Sequence, residues 1–252
     1  MTKRVQELFD LTGRSAIVTG GSRGIGKEMA EALAEAGANL MLCARRADWL
    51  EETVREFAGG GFNVASRICD VSKPEDVQAV VDATVQEFGA VDILINNAGI
   101  QNWMNVADKD FYQKTNDEIT TNVIAPLHLT SLFCTLNALT TIINVTSGLA
   151  FIPLSKVAVY SATKAFMRSF TLSLRHMLKE RNIEVIEMIP PALNSDLLGK
   201  GIHDGQPAVS DFVESIFTQL RQGKTELTFG TSEARANANN QVIAEYFSKM
   251  NP

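Results

Sequence analysis

The stretch from Ser15 to Gly37 limits the possible folds more than any other part of the chain. Ser15-Ala-Ile-Val-Thr19 is a short apolar, β-branched run, the composition of a buried strand. Gly20-Gly-Ser22-Arg23-Gly24-Ile25-Gly26 follows directly. After it Met29, Ala30, Leu33 and Ala34 recur at helical spacing up to Gly37. Strand, glycine-rich turn and helix in that order open a nucleotide-binding unit. In this reading Gly20 permits a tight turn, Gly24 lets the backbone approach a phosphate, and Gly26 lets helix and strand pack closely. The helix then offers its free amides and its dipole to a pyrophosphate. The spacing is Gly-x-x-x-Gly-x-Gly, which differs from the Gly-x-Gly-x-x-Gly of many dinucleotide sites.

Ala38-Asn-Leu-Met-Leu-Cys43 is a second apolar run, as a parallel strand covered on both faces requires. A carboxylate near the end of such a strand would bind the ribose 2′-hydroxyl of NAD. The chain reads Ala44-Arg45-Arg46 there. Arginine suits a 2′-phosphate, because its planar fork binds phosphate oxygens in pairs. Arg23 adds a second cation on the same side, so NADP(H) is the expected coenzyme.

The alternation continues to the C-terminus. Helices are expected at about 47–58, 74–88, 111–137, 158–180 and 208–222, with strands at about 62–68, 91–95, 140–146, 183–189 and 225–229, then a polar helical tail. Pro74 suits the first turn of its helix. Repeated βα units imply an α/β fold: a Rossmann-type doubly wound sheet of about seven parallel strands, helices on both faces, in one domain over 1–252. The net charge of -6 provides no basic footprint for nucleic acid. Cys43, Cys69 and Cys134 are odd in number and form no Cys-x-x-Cys, so neither a disulfide framework nor a metal site is expected. His128, His176 and His203 are scattered and read as structural or exposed. The N-terminus is too polar for a signal peptide, and no apolar run approaches the length of a membrane span. A soluble, cytoplasmic protein is expected.

Chemistry is expected at Tyr160-Ser-Ala-Thr-Lys164, inside a run of helical apolar spacing. Residues four apart share a helix face, so a phenol and an ammonium lie side by side. A nearby positive charge favours the phenolate and lowers the tyrosine pKa, which makes the pair a general acid/base. Together with Thr19-Gly-x-x-x-Gly-Ile-Gly26, Asp70, Asn96-Asn-Ala-Gly99, Asn122 and Ser147, in this order and spacing, the chain resembles the short-chain dehydrogenase/reductase family from about residue 13 to about 230. The runs Ser147 to Leu154 and Glu187 to Leu197 resemble a bacterial branch of DltE-type oxidoreductases, named from cell-wall D-alanylation operons.

The resemblance implies hydride transfer between a nicotinamide and a carbonyl or alcohol carbon. Tyr160 would pass the proton, Lys164 would tune Tyr160 and bind the nicotinamide ribose, and Ser147 would hold the substrate oxygen. Asn122 would hold a water that extends a proton relay from Lys164. Asp70, Val71, Asn96, Ala98 and Gly99 would line the adenosine side, with Asp70 reaching the adenine amino group. Pro190 and Ser195 would border the nicotinamide. Pro191 replaces a usual glycine and stiffens that wall. Gln101, Trp103, Leu149, Phe151 and Leu193 are the expected substrate walls. They are mostly apolar with no fixed cation, which disfavours a small carboxylate substrate. A fairly apolar small-molecule carbonyl or alcohol is therefore expected. Residues 196–206 read as a mobile lid. The alternative is a catalytically silent NADP(H)-binding sensor or scaffold, which would not need Asn122, Ser147, Tyr160 and Lys164 together. Apolar stripes at Leu127, Leu129, Leu132 and Phe133 and at Phe166, Met167 and Phe170 exceed what one sheet face covers, so a homodimer or homotetramer is expected.

Overall fold

The structure, a computed structural model, describes residues 10–195, 197, 199 and 201–251. The apolar runs of the sequence form one parallel sheet: β1 (Ser15–Thr19), β2 (Asn39–Ala44), β3 (Val64–Ile68), β4 (Ile93–Asn96), β5 (Thr141–Val145), β6 (Glu184–Ile189) and β7 (Glu226–Thr228). Their spatial order is β3-β2-β1-β4-β5-β6-β7. The central strands are the continuous hydrophobic runs because helices cover them on both sides. β1 is buried at all its positions, whereas β3 exposes Ser66, Arg67 and Ile68 at the sheet edge. β1 pairs with both β2 and β4, through Ile17 with Met41 and with Leu94. The strand order reverses between β1 and β4, and in open α/β sheets the crevice at such a point is where ligands bind.

The helices divide between the two faces. α1 (Gly24–Glu35), α2 (Ala47–Gly59) and α7 (Val209–Arg221) bury Met29, Leu33, Phe57, Phe212 and Phe217 against one face. Removing each such side chain from water stabilises the fold by roughly 1.5–3 kcal/mol. α3 (Pro74–Phe88), α5 (Ala125–Phe133) and α6 (Ala158–Met177) bury Val77, Val80, Leu129, Phe133 and Leu174 against the other.

The helix expected over 111–137 is built differently. α4 (Phe111–Ile119) passes into a π turn, Thr120–Ile124, and then into α5, which ends at Phe133. Pro126 stands in the first turn of α5 and has no amide to donate, so the hydrogen-bond ladder widens just before it. The polar tail also breaks in two, α8 (Thr231–Ala236) and α9 (Asn240–Met250). Asn239 starts the second by accepting the Val242 amide at 3.0 Å. Cys43 and Cys69, distant in sequence, bring their thiols within hydrogen-bonding reach across β2 and β3, and both are free. Among the described residues no helix is long and apolar enough to cross a membrane, and no cluster of His, Cys, Asp or Glu is arranged to hold a metal ion.

Candidate active site

The glycine turn sits at the end of β1 and is fixed from below by Thr19 and Asn97. The Thr19 hydroxyl accepts the amides of Asn97 (2.9 Å) and Ala98 (3.0 Å) and donates to the Ile95 carbonyl at 3.0 Å. Asn97 Nδ2 donates to the Thr19 carbonyl (2.8 Å) and the Gly20 carbonyl (3.3 Å). Gly26 meets this knot at close quarters: a Cβ there would stand 2.3 Å from the Gly20 oxygen and 2.5 Å from Asn97 Nδ2. Gly24 is required for another reason, since its φ of +55° lies in the left-handed region. A Cβ at Gly24 would have room, with Ser195 Cβ at 3.8 Å its one near neighbour among the described residues, so the turn rather than close packing selects glycine. Arg23, the residue before α1, does not cap its first amides with its side chain. Curled backbone, uncapped helix N-terminus and missing side chains together form a cradle that fits a dinucleotide pyrophosphate.

Gly20, Arg23, Gly24, Ile25, Ala98 and Gly99 all border one cleft of about 470 Å³. Ser22 is buried beneath the turn, its carbonyl accepting the Thr53 hydroxyl at 2.9 Å. Trp49, absent from the expectation, completes the far end. The Arg23 and Arg46 guanidinium groups lie 4.4 and 4.3 Å from the ring centroid of Trp49, which borders the cleft. Their ion pairs, Arg23 with Glu52 (3.1 Å) and Arg46 with Asp48 (2.6 Å), are exposed and therefore weakly held. Arg45 is exposed, forms no ion pair among the described residues, and lies close enough to Asp70 to favour its charged form.

Three expected adenosine-side residues stand outside this cleft. Burial raises the Asp70 pKa, but hydrogen bonds from Ser72 and the nearby cations Arg45 and Lys73 outweigh it and hold the carboxyl below its ordinary value. Its Oδ1 accepts the Ser72 hydroxyl (2.7 Å) and amide (3.0 Å), so it closes a turn at the sheet end beside Arg45. Val71 is buried in the core under α3. Asn96 corrects the expectation more sharply. It is the last residue of β4, and its amide donates to Asn144 Oδ1 at 2.8 Å inside the protein. Its neighbour Asn97 points the other way and lines the cleft, because successive strand side chains face opposite sides.

Ser147, Tyr160 and Lys164 converge where β5 ends. The Ser147 hydroxyl accepts the Leu149 amide at 3.1 Å and hydrogen-bonds the Tyr160 phenol. Lys164 lies one helical turn beyond Tyr160, its Nζ 5.5 Å from the Tyr160 ring centroid, and donates to the Val145 carbonyl at 2.8 Å. All three are buried and all border the cleft. The expectation of an acidic Tyr160 is not met. Burial pushes the phenol above the ordinary tyrosine range, the Ser147 bond draws it back only in part, and Glu118 adds to the rise. Burial acts oppositely on a cation and pushes the Lys164 ammonium down to about 8.

Asn122 occupies the π turn, a feature often found at functional sites. Its side chain accepts the Ile100 amide (2.8 Å) and donates to the Ile100 carbonyl (2.8 Å) and to Thr163 Oγ1 (3.2 Å). A Cβ at Gly99 would meet Asn122 Oδ1 at 3.2 Å and Lys164 Nζ at 3.7 Å, so Asn122, Gly99 and Lys164 adjoin. Two buried glutamates brace this centre. Glu118 Oε1 accepts the Asn102 amide (2.5 Å) and side chain (3.0 Å), which holds the segment carrying Gln101 and Trp103. Glu187 accepts the Thr146 hydroxyl (2.7 Å) and Arg168 (2.6 Å), so the Thr146 hydroxyl is taken up by the core while Ser147 meets the Tyr160 phenol.

The substrate side is only partly as expected. Gln101, Trp103, Leu149, Leu193, Pro190, Pro191 and Ser195 border the cleft. Phe151 does not: the Arg168 guanidinium, itself drawn to Glu187, lies 4.2 Å from its ring and holds it aside. Within the expected lid, Asp196, Leu198 and Lys200 lie outside the described residues, while Leu197 and His203 border the cleft. The C-terminal helices contribute Arg235 and Met250, neither anticipated. Arg235 overturns the expectation that the walls carry no cation. Asn251 holds α9 in place, accepting the Ser155 amide at 2.6 Å and donating to the Pro153 carbonyl at 3.2 Å.

A family model described as short chain dehydrogenase matches residues 14–204. The chain is 34% identical over 255 residues to the uncharacterized oxidoreductase DltE of Bacillus subtilis, a match covering 96% of this chain and 98% of that one. It is 34% identical over 207 residues to the 3-oxoacyl acyl-carrier-protein reductase FabG of Vibrio cholerae, across 79% of this chain and 80% of that one. Among solved structures, a short chain dehydrogenase from Burkholderia cenocepacia in complex with NADP aligns with a TM-score of 0.78 at 26% identity, over 87% of this chain and 97% of that one. A short chain dehydrogenase/reductase from Burkholderia phymatum in complex with NAD shares the fold, with a TM-score of 0.82 at 20% identity over 97% of each chain.

Proposed function

This chain belongs to the short-chain dehydrogenase family, and from that premise we propose that it is an NADP(H)-preferring oxidoreductase that interconverts a carbonyl and a secondary alcohol. The observation that carries the reading is the convergence of Ser147, Tyr160 and Lys164 in the cleft that begins at the glycine cradle. The cradle, Asn97 and the Ser195 wall would hold the coenzyme, which supplies or accepts the hydride when bound. Ser147 donates a hydrogen bond to the substrate oxygen and stabilises the charge that grows there. Tyr160 gives the proton in reduction and takes it in oxidation. Lys164 is the cation beside Tyr160 and is placed to reach ribose hydroxyls. Buried Glu118 sets the position of the wall that orients the substrate. Leu149, Leu154 and Val157 suit a substrate with an apolar body. The free thiols agree with the reducing cytoplasm.

NADP(H) preference is supported by Arg45 and Arg46, which directly follow β2, and by Arg23 of the glycine turn, which meets Arg46 over Trp49. The dissociation constant for NADPH should be lower than that for NADH by at least about tenfold. Arg45→Asp should shrink or invert that ratio. Equal affinities in the parent protein would overturn the preference.

We also propose a homodimer or homotetramer. Ile124 and Phe166 are 54% and 47% exposed, and Ile119 and Leu172 stand out on the same helices. Of the two apolar stripes, Leu129, Phe133 and Met167 are buried within the chain. Apolar side chains left out on α4, the π turn and α6 suit a two-fold contact between copies. Light scattering at micromolar protein should give a multiple of the 27.5 kDa chain mass. A monomeric mass would refute the contact.

A further inference from the structure

Arg235 is a cation without an ion-pair partner among the described residues, in a largely apolar cleft. It lies in the last turn of the short helix α8, and its side chain lies against Gly148, directly beside Ser147. A Cβ at Gly148 would meet Arg235 Cδ at 3.3 Å and Nη1 at 3.4 Å, so glycine leaves the room that the guanidinium side chain uses. Arg235 Nε is buried with no hydrogen-bond partner, and the residue forms no ion pair among the described residues. Burial pushes its pKa below the ordinary arginine value, opposed by Tyr246. The arginines of the neighbouring framework differ. Arg168 is drawn to Glu187 at 2.6 Å, and Arg175 donates to the Val185 carbonyl at 2.9 Å. Arg221 also has buried, unpartnered nitrogens, but it does not border the cleft. A half-buried guanidinium with no counter-charge among the described residues leaves donors open, and a cleft that retains one is prepared to receive an anion. The dipole of a six-residue helix offers some support to a cation at its end, but no hydrogen-bond acceptors for its nitrogens.

We propose that Arg235 binds an anionic group of the substrate, and that the preferred substrates are oxo acids or hydroxy acids. The carboxylate is a few bonds from the reacting carbon, because Arg235 packs on the residue next to Ser147. The apolar walls, Leu149 and Met250 among them, take the rest of the molecule. A planar guanidinium accepts a carboxylate through two parallel hydrogen bonds, which fixes direction as well as affinity. This assignment rests on the carbonyl–alcohol reading above and names the substrate class for it.

The test uses a matched pair of probes, 4-oxopentanoate and its methyl ester, with NADPH and the full chain. The parent should favour the acid over the ester in kcat/KM by at least about tenfold. Arg235→Met should abolish that preference while leaving the ester rate within about threefold. Arg235→Lys should keep part of it, which separates loss of charge from loss of packing. A second readout needs no turnover: calorimetry of pentanoate against protein saturated with NADP. Its dissociation constant should rise at least about tenfold in Arg235→Met. An unchanged acid-to-ester ratio, an equal loss for acid and ester, a matching loss of NADPH affinity, or no pentanoate binding by the parent would overturn the proposal. If the parent reduces neither ketone, the carbonyl–alcohol reading fails, and the pentanoate titration still decides the role of Arg235.

Discussion

A Tyr160→Phe variant should keep its fold and its affinity for NADPH while its turnover falls by about 10² to 10⁴, the usual size of a general acid/base contribution. The substitution removes one oxygen and almost no volume. Its effect on packing is small, because the ring stays between Ser147 and the turn that carries Lys164. What disappears is the phenol bonded to the Ser147 hydroxyl. KM should change little, since Ser147 and the cleft walls still hold the substrate oxygen and body. Turnover of the best ketone, with NADPH affinity measured on the same preparation, checks both parts. A variant with near-parent turnover would move the chemistry away from this stretch. A variant that also lost NADPH would show that the phenol serves the coenzyme rather than the proton.

The order of strands and helices was legible because periodicity and punctuation are local properties. Ser15–Thr19 and Ile93–Asn96 had to be buried strands, and Gly26 had to be the point of closest approach. The convergence of Ser147, Tyr160 and Lys164 was readable only through the order and spacing of the whole motif set. Other features depend on how distant elements meet. Asn96 and Asn97 are chemically identical, and only the phase of β4 decides which one enters the core. Phe151 has the character of a pocket wall, yet it is held aside by Arg168, whose position depends on Glu187 in another strand. Trp49 shows as an amphipathic-helix residue and nothing more until Arg23 and Arg46 meet over it. Arg235 lies in a six-residue helix with no legible pattern, and its meaning comes from contact with Gly148. The direction of the pKa shifts was hidden for the same reason: spacing puts Lys164 near Tyr160, but only the packed structure shows that both are desolvated.

That desolvation sets the pH dependence. Lys164 is drawn down to about 8 by burial while Tyr160 is pushed upward, so the first proton to leave the pair leaves Lys164 near pH 8. Alcohol oxidation needs the pair without that proton, so its rate should rise with pH through about 8, and ketone reduction should fall over the same range. Lys164→Met keeps the length of the side chain and removes the charge. The group that titrates near 8 is then gone, and the oxidation limb should move above pH 10, the ordinary tyrosine value. NADPH binding should weaken together with turnover, because the same ammonium is the group placed to reach the ribose. Stability carries an independent sign. Between about 8 and the ordinary lysine value of 10.5, the unfolded chain holds a proton on Lys164 that the folded chain has released, so this residue makes stability rise with pH. Tyr160 acts oppositely above 10.0, where the unfolded chain loses a proton that the folded chain keeps. Denaturant midpoints should therefore show a Lys164-dependent rise between about pH 8 and 10 that is absent from Lys164→Met. An oxidation limb at the same pH in parent and Lys164→Met would mean that another group governs the proton at this site.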